Sequence, residues 1–159
     1  MALMNRSTLH DTFVVERTLP FEREFVFEAW TTAAAKSHWF AGPSGWQQLQ
    51  REMEFRPGGY ERVVGRKPTG RVSKFDARYY DIVPNERIVY AYEMYIDDVR
   101  ISISIATIEF NERDGATQVV ITEQGVFLDD FKETRGREEG TEKLLEQLEA
   151  ALHRTSTPR

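Results

Sequence analysis

Between Arg87 and Phe127 the chain reads RIVYAYEMYIDDVRISISIATIEFNERDGATQVVITEQGVF. Three runs rich in β-branched and aromatic residues are separated here by two short turns, one built on Asp-Asp and one that contains Asp-Gly. The middle run alternates in character from one residue to the next, as a strand with two unlike faces does. Because turns this short join neighbouring antiparallel strands, the stretch predicts a meander.

The sequence upstream predicts four more strands and a pair of helices. Pro20 suits the first turn of a helix, where its missing N–H needs no partner, and large apolar residues follow it with helical spacing. A second short helix continues until Gly42 and Pro43 stop it. We predict strands at residues 12–19, 46–55, 60–65 and 71–83, and helices at 20–32 and 33–40.

The last part of the chain predicts one long amphipathic helix. Apolar residues recur there with i, i+3, i+4, i+7 spacing, and glutamates occupy most of the other positions. About eighteen residues with a rise of ~1.5 Å each give ~27 Å, which is enough to cross a whole sheet. The stripe consists of Thr141, Leu144, Leu145, Leu148, Ala151 and Leu152.

The order of the elements is strand, two helices, six strands and helix, which predicts an α+β fold. A sheet accompanied by one amphipathic helix must lay that helix across one face. A curved antiparallel sheet wrapped around a long C-terminal helix does not close easily over it, so we expect a cavity between them. We expect a single domain over residues 1–159, with its core at about 12–153.

Composition excludes several classes of function. The net charge of −5 argues against nucleic acid, whose phosphates are neutralised by basic patches. Without cysteine there is no disulfide and no thiolate metal site, and the three histidines lack the spacing of metal ligands. No run approaches the ~20 apolar residues that cross a bilayer, and charged residues near the start argue against a signal peptide. We therefore expect a cytoplasmic protein with no metal or other cofactor, no membrane partner and no nucleic-acid partner.

Four motifs resemble one branch of the helix-grip (SRPBCC, START-like or Bet v 1-like) superfamily, the branch related to the activator of Hsp90 ATPase. The resemblance extends over about residues 12–153, and it implies the helix-grip fold. It also implies that the ligand, where there is one, is apolar. The motifs are PFEREFVFEAWTTAAAKSHWFAGP at 20–43, EFRPGGYERVVG at 54–65, DIVPNERIVYAYEM at 81–94 and GATQVVITEQGVF at 115–127.

One departure from this family concerns the last helix. The family often has Gly-Trp where this chain has Gly140-Thr141. A small side chain thus replaces a bulky one. If the position faces the cavity, we expect the cavity to be roomier there.

The strand that ends at Phe127 carries the most informative polar residue. Val119, Ile121 and Glu123 share one face of it, so Glu123 points into the cavity if its apolar neighbours do. A carboxylate in an apolar cavity is unfavourable unless it is paired or protonated. Arg78, which shares a strand face with Tyr80, is the predicted partner. Glu123 either orients a ligand or lies hydrated near the cavity mouth.

Tyr92 and Trp39 complete the predicted set of ligand contacts. Tyr92 shares a strand face with Tyr90, and a tyrosine there suits either ligand contact or the core. Trp39 closes the helix pair against the sheet, as core or as cavity wall. The predicted ligand-binding residues are Trp39, Arg78, Tyr80, Tyr92 and Glu123, and no catalytic or metal-binding residue is predicted.

The strand RISISIATIEF leaves a question about assembly open. Its serine face would line the cavity, and the opposite face would then expose Ile101, Ile103 and Ile105. An exposed apolar face suggests a homodimer contact. A bulge that changes the register midway explains the same pattern without a dimer.

Three functions remain open at this point. The favoured one is the binding of a small apolar or aromatic molecule. The second is a cyclase or hydratase type of enzyme with Glu123 as general acid or base, although a single carboxylate gives it little support. The third is an Hsp90 co-chaperone-like interaction domain, which the resemblance alone implies.

Overall fold

The computed structural model describes residues 6–129 and 134–156, which form seven strands and three helices. The element order strand, two helices, six strands and helix is confirmed. The elements are β1 (Thr8–Leu19), α1 (Arg23–Glu28), α2 (Ala33–Ser37), β2 (Gln47–Met53), β3 (Tyr60–Arg66), β4 (Val72–Val83), β5 (Arg87–Ile96), β6 (Val99–Arg113), β7 (Ala116–Leu128) and α3 (Thr134–Ser156).

All seven strands form one curved antiparallel sheet with the order β1-β7-β6-β5-β4-β3-β2. Strands β2 to β7 follow one another as the predicted meander, and β1 pairs with β7 along its whole length. The first and second strands therefore lie at opposite edges of the sheet. The helix pair α1 and α2 connects these two edges.

The helix pair is shorter than its sequence pattern predicts. The predicted helix over residues 20–32 reduces to the six residues of α1. Thr32 then begins α2, because its Oγ1 accepts a hydrogen bond from the N–H of Ala35 and so caps the new helix. Residues 29–32, which end with Thr32 in extended conformation, separate the two helices, and the apolar spacing does not reveal this break.

Helix α3 contributes its predicted apolar stripe to the core. Leu145 and Leu148 are fully buried, and Ala151 and Leu152 are nearly so. They belong to one cluster with the inward side chains of β1, β6 and β7. Burial of a large apolar side chain contributes about 1.5–3 kcal/mol, so this stripe holds α3 on the sheet.

Strand β6 contains a bulge, which is one of the two explanations given above for the isoleucines predicted on its outer face. The β5–β6 register shifts where Ile101 would pair, and Ile101 and Ser102 are both buried as a result. Beyond the bulge the alternation is regular, and Ile103 and Ile105 remain on the outer face, 38% and 50% exposed. The bulge therefore accounts for Ile101 only.

The helices that the structure describes lack the features of a membrane-spanning helix. Within the described part of the chain, no helix is both long and apolar enough to cross a bilayer. The longest, α3, has charged residues along most of its outer side. The cytoplasmic location stays a prediction.

Candidate ligand-binding site

A cavity of about 450 Å³ lies between the sheet, α3 and the segment that follows α2. This volume falls within the range of small-molecule sites, which is roughly 300–1,000 Å³. Aromatic and aliphatic side chains form most of its wall. They include Trp39, Phe75, Tyr90, Ile121, Phe127 and Leu144.

A chain of polar groups lies at one end of this cavity. The Tyr92 hydroxyl donates a hydrogen bond to Oε1 of Glu123. The guanidinium of Arg137 donates to the Tyr92 oxygen at 3.0 Å and to Oγ of Ser102 at 2.9 Å. Oγ1 of Thr141 lies 3.4 Å from Oε2 of Glu123. Strands β5 and β7 and helix α3 thus meet at the carboxyl group of Glu123, and Ser102 of β6 joins them through Arg137.

Burial is the largest influence on the pKa of this carboxyl group. Glu123 is only 6% exposed, and the loss of hydration raises its pKa. The hydrogen bond from Tyr92, the charge of Arg137 and the hydroxyl of Thr141 oppose this rise without cancelling it. Burial and the neighbouring Glu123 also raise the pKa of Tyr92, so its hydroxyl keeps the proton that it donates.

Arg137 is the cation nearest this group. Its guanidinium carbon lies 4.9 Å from the centre of the Phe127 ring and 5.7 Å from that of Tyr92. Both of its hydrogen-bonded side-chain partners are neutral oxygens. Among the residues that the structure describes, no carboxylate forms an ion pair with it.

Three of the predicted ligand-binding residues line the cavity: Trp39, Tyr92 and Glu123. Glu123 is buried rather than placed at the mouth. Trp39 is 2% exposed, and its Nε1 donates to the carbonyl of Ala29 at 3.0 Å, so it is both core and cavity wall.

The placement of Arg78 and Tyr80 is corrected. Both lie on the outer face of β4, where Tyr80 is 62% exposed, and neither lines the cavity. The buried residues of this strand, on the inward face, are Ser73, Phe75, Ala77 and Tyr79. Successive side chains of a strand point to opposite faces, so an assignment that is shifted by one residue places every side chain on the wrong face. Arg78 therefore does not pair with Glu123.

The sequence interpretation missed Arg137, the cation that contacts the Glu123 cluster. The stripe predicted for the last helix begins at Thr141 and leaves Arg137 out. A signal was available, because Arg137 stands four residues before Thr141 and so extends the inward stripe of α3 by one turn. Thr141 itself is 6% exposed and lines the cavity, and a cavity roomier than one walled by tryptophan at this position stays a prediction.

A second buried polar cluster lies behind the cavity wall. Nζ of Lys36 lies 2.8 Å from Oε1 of Glu61, and the hydroxyl of Tyr79 donates to the same oxygen at 2.6 Å. Lys36 and Glu61 are each 1% exposed. Burial lowers the pKa of Lys36, and the charge of Glu61 opposes this. The ammonium lies 3.9 Å from the centre of the Phe40 ring, so the pair holds α2 and its aromatic residues against β3.

A curved antiparallel sheet that grips one long helix over an apolar cavity defines a helix-grip protein. Residues 20–153 match the family described as activator of Hsp90 ATPase homolog 1-like protein. The chain belongs to this family, as its motifs imply.

Solved structures of similar chains agree with this assignment. An uncharacterised protein from Rhizobium leguminosarum is 45% identical, with a TM-score of 0.90 over 94% of this chain and 99% of its own. A protein from Rhizobium loti is 37% identical, with a TM-score of 0.84 over 91% of this chain and 99% of its own. A protein from Chromobacterium violaceum is 26% identical, with a TM-score of 0.74 over 89% and 96% of the two chains. A comparison with curated proteins found no match.

Proposed function

We propose that this protein binds a small apolar or aromatic molecule in the cavity between the sheet and α3. The observation that carries the proposal is an apolar cavity of about 450 Å³ with its polar groups gathered at one end. Binding sites for small molecules have this composition, because apolar contact supplies affinity and a few polar groups fix orientation. Trp39, Tyr92 and Glu123 are the contacts that we assign.

Titration with N-phenyl-1-naphthylamine, a neutral fluorescent apolar probe, tests this proposal. We expect saturable binding and a rise in probe fluorescence. Thr141→Trp should weaken binding at least about tenfold, because an indole would occupy part of the cavity. Thr122→Trp is the matched control, since Thr122 lies on the outer face of β7 and does not line the cavity. The absence of saturable binding, or an equal loss in both variants, would contradict the proposal.

A second candidate is acid–base catalysis of the cyclase or hydratase type. One observation favours it: Glu123 is a buried carboxyl group with a raised pKa that lines the cavity. Ligands that displace the probe would be incubated with the protein and followed by NMR. Conversion by the wild type that Glu123→Gln abolishes, while the variant still binds the probe, supports catalysis. Ligands that remain unchanged during the incubation contradict it.

The homodimer and the Hsp90-type partner stay predictions. A homodimer would cover Ile103 and Ile105, which are exposed on the outer face of the sheet. Analytical ultracentrifugation with Ile105→Lys tests this: a dimer that the variant dissociates supports it, and a monomer at every concentration contradicts it. The co-chaperone role depends on family membership alone, and retention on immobilised Hsp90 tests it.

A further inference from the structure

We infer that the cavity accepts an amphipathic carboxylic acid, with the apolar body against the aromatic wall and the carboxylate on Arg137. This inference depends on the ligand-binding function proposed above and specifies the chemical class of the ligand.

The charges that face the cavity are unbalanced. Glu123 is the one carboxyl group among the described residues that line it, and burial favours its neutral form. Cations outnumber it, so an anionic ligand is favoured wherever one of these cations has no carboxylate partner. The cationic residues of the lining are Arg51, Lys67, Arg71 and Arg137.

Two of these cations, Arg71 and Lys67, lie at the mouth of the cavity and have partners there. Nε of Arg71 lies 3.1 Å from a carboxylate oxygen of Asp97, so its charge is already paired. The ammonium of Lys67 lies 5.4 Å from the centre of the Trp46 ring and reaches no deeper wall residue in the contacts that the structure describes. Neither one directs a ligand into the interior.

The third cation, Arg51, is held by groups of the protein itself. Its Nε donates to the side-chain oxygen of Gln48 at 2.9 Å, and its Nη2 donates to the carbonyl of Phe40. Its Nη1 is buried without a described partner. Its charge already interacts with the carboxylate of Glu61, so Arg51 is not the cation that we assign to the ligand.

Arg137 has both the charge and the donors that a ligand carboxylate needs. A guanidinium has five N–H donors, and the described contacts of Arg137 use two of them, on the neutral oxygens of Tyr92 and Ser102. Three donors remain, in the planar arrangement that matches a carboxylate.

The surroundings of Arg137 favour an anion that carries an apolar group. Its guanidinium packs beside Phe127, which belongs to the aromatic wall. When a ligand carboxylate binds this guanidinium, the apolar body of the ligand therefore lies against the wall. Tyr92, Ser102 and Glu123 are buried around it, and charge-assisted hydrogen bonds are stronger where water is excluded. A neutral ligand would leave the guanidinium without a counter-charge, and a cationic ligand would be repelled.

Isothermal titration calorimetry with three ligands of one shape tests the inference: 2-naphthoate, 2-naphthamide and 2-naphthylmethylammonium. At neutral pH we expect 2-naphthoate to bind about tenfold or more tightly than the amide, and the ammonium to bind most weakly. Arg137→Gln should abolish the preference for the acid while the amide keeps its affinity. Arg71→Gln, which removes an equal charge at the mouth, should leave the preference in place.

The possible outcomes separate this inference from the proposal on which it depends. Binding of the probe together with equal affinity for acid and amide, tightest binding of the ammonium, or failure of all three to displace the probe overturns the inference but leaves the cavity function standing. Failure of the probe and of all three naphthalenes to bind overturns both. If Arg137→Gln does not fold, Arg137→Lys keeps the charge without the planar fork, and it should reduce the preference.

Discussion

Tyr92 and Glu123 form a hydrogen bond across an intervening strand. Tyr92 belongs to β5 and Glu123 to β7, and β6 lies between them. The β6 residues paired with these two positions are Ser104 and Ala106, both buried and both small. Small side chains on the middle strand leave the space in which the hydroxyl reaches the carboxyl group.

Enlarging Ala106 should therefore disrupt this contact. We expect Ala106→Leu to lower the free energy of unfolding by about 1–3 kcal/mol, because extra methylene groups in a filled interior force side chains out of their rotamers. Ala91→Leu is the control on the outer face of β5, where a change of at most ~0.5 kcal/mol is expected. Urea unfolding at neutral pH measures both, and equal losses would argue against the close fit around Ala106.

Glu123→Gln should stabilise the protein increasingly as the pH rises. The folded state raises the pKa of Glu123, so it binds this proton more tightly than the unfolded chain does. The stability of the wild type is therefore unaffected by Glu123 below the ordinary carboxyl pKa and decreases as the pH rises toward the folded value. Glutamine has no charge to lose. The difference in unfolding free energy between variant and wild type, measured in urea from acidic to mildly basic pH, should grow in favour of the variant.

Glu149→Gln provides a control with the opposite trend. The hydrogen bond from Arg17, with a second one from His153, lowers the pKa of Glu149 in the folded state. Glu149 thus contributes stability above the ordinary carboxyl pKa and loses it as the pH falls through the lowered value. The variant should be destabilised at neutral pH and equal to the wild type in acid. If both glutamine variants followed the same pH trend, the assigned protonation of Glu123 would be wrong.

The fold could be predicted from local patterns, whereas the polar end of the cavity could be predicted only in part. The meander and the α3 stripe depend on periodicity and turn chemistry, and both are determined by residues that are close together in the sequence. The alternation of side chains along β4 places Arg78 and Tyr80 on the same face. It does not say whether this face or the opposite one points inward. That choice depends on contacts with distant elements, which put Phe75 inside.

Buried charges were the hardest features to predict. Lys36 stands on a short helix, where a lysine is normally solvated, and nothing near it in sequence indicates its partner Glu61, twenty-five positions away. The pair is created by the way α2 packs on β3. Arg137 differs, because its spacing from Thr141 places it on the inward stripe and could have identified it.

Removal of one member of the buried Lys36–Glu61 pair should lower the free energy of unfolding by more than half of what removal of both members does. We expect Lys36→Met or Glu61→Gln alone to lower the free energy of unfolding by about 3–5 kcal/mol, because each leaves the partner's charge buried and unpaired. The double variant should lose much less than the sum of the single losses. Glutamine also keeps an acceptor for the Tyr79 hydroxyl. Urea unfolding of all four proteins gives the coupling, and additive losses would contradict it.

Gly140→Ala should stabilise the protein, although Gly140 lies beside the cavity. It stands inside α3, and a Cβ built there meets nothing within 4 Å. Alanine in a helix interior is favoured over glycine by about 0.5–1 kcal/mol, chiefly because the unfolded chain has less backbone freedom to lose. Gly59→Ala is the matched change with the opposite sign. Its Cβ would lie 2.1 Å from the carbonyl oxygen of Glu54, which is main chain and cannot turn aside. Thermal unfolding should therefore show a higher midpoint for Gly140→Ala and a lower one for Gly59→Ala, and a loss in both would mean that the space around Gly140 is filled.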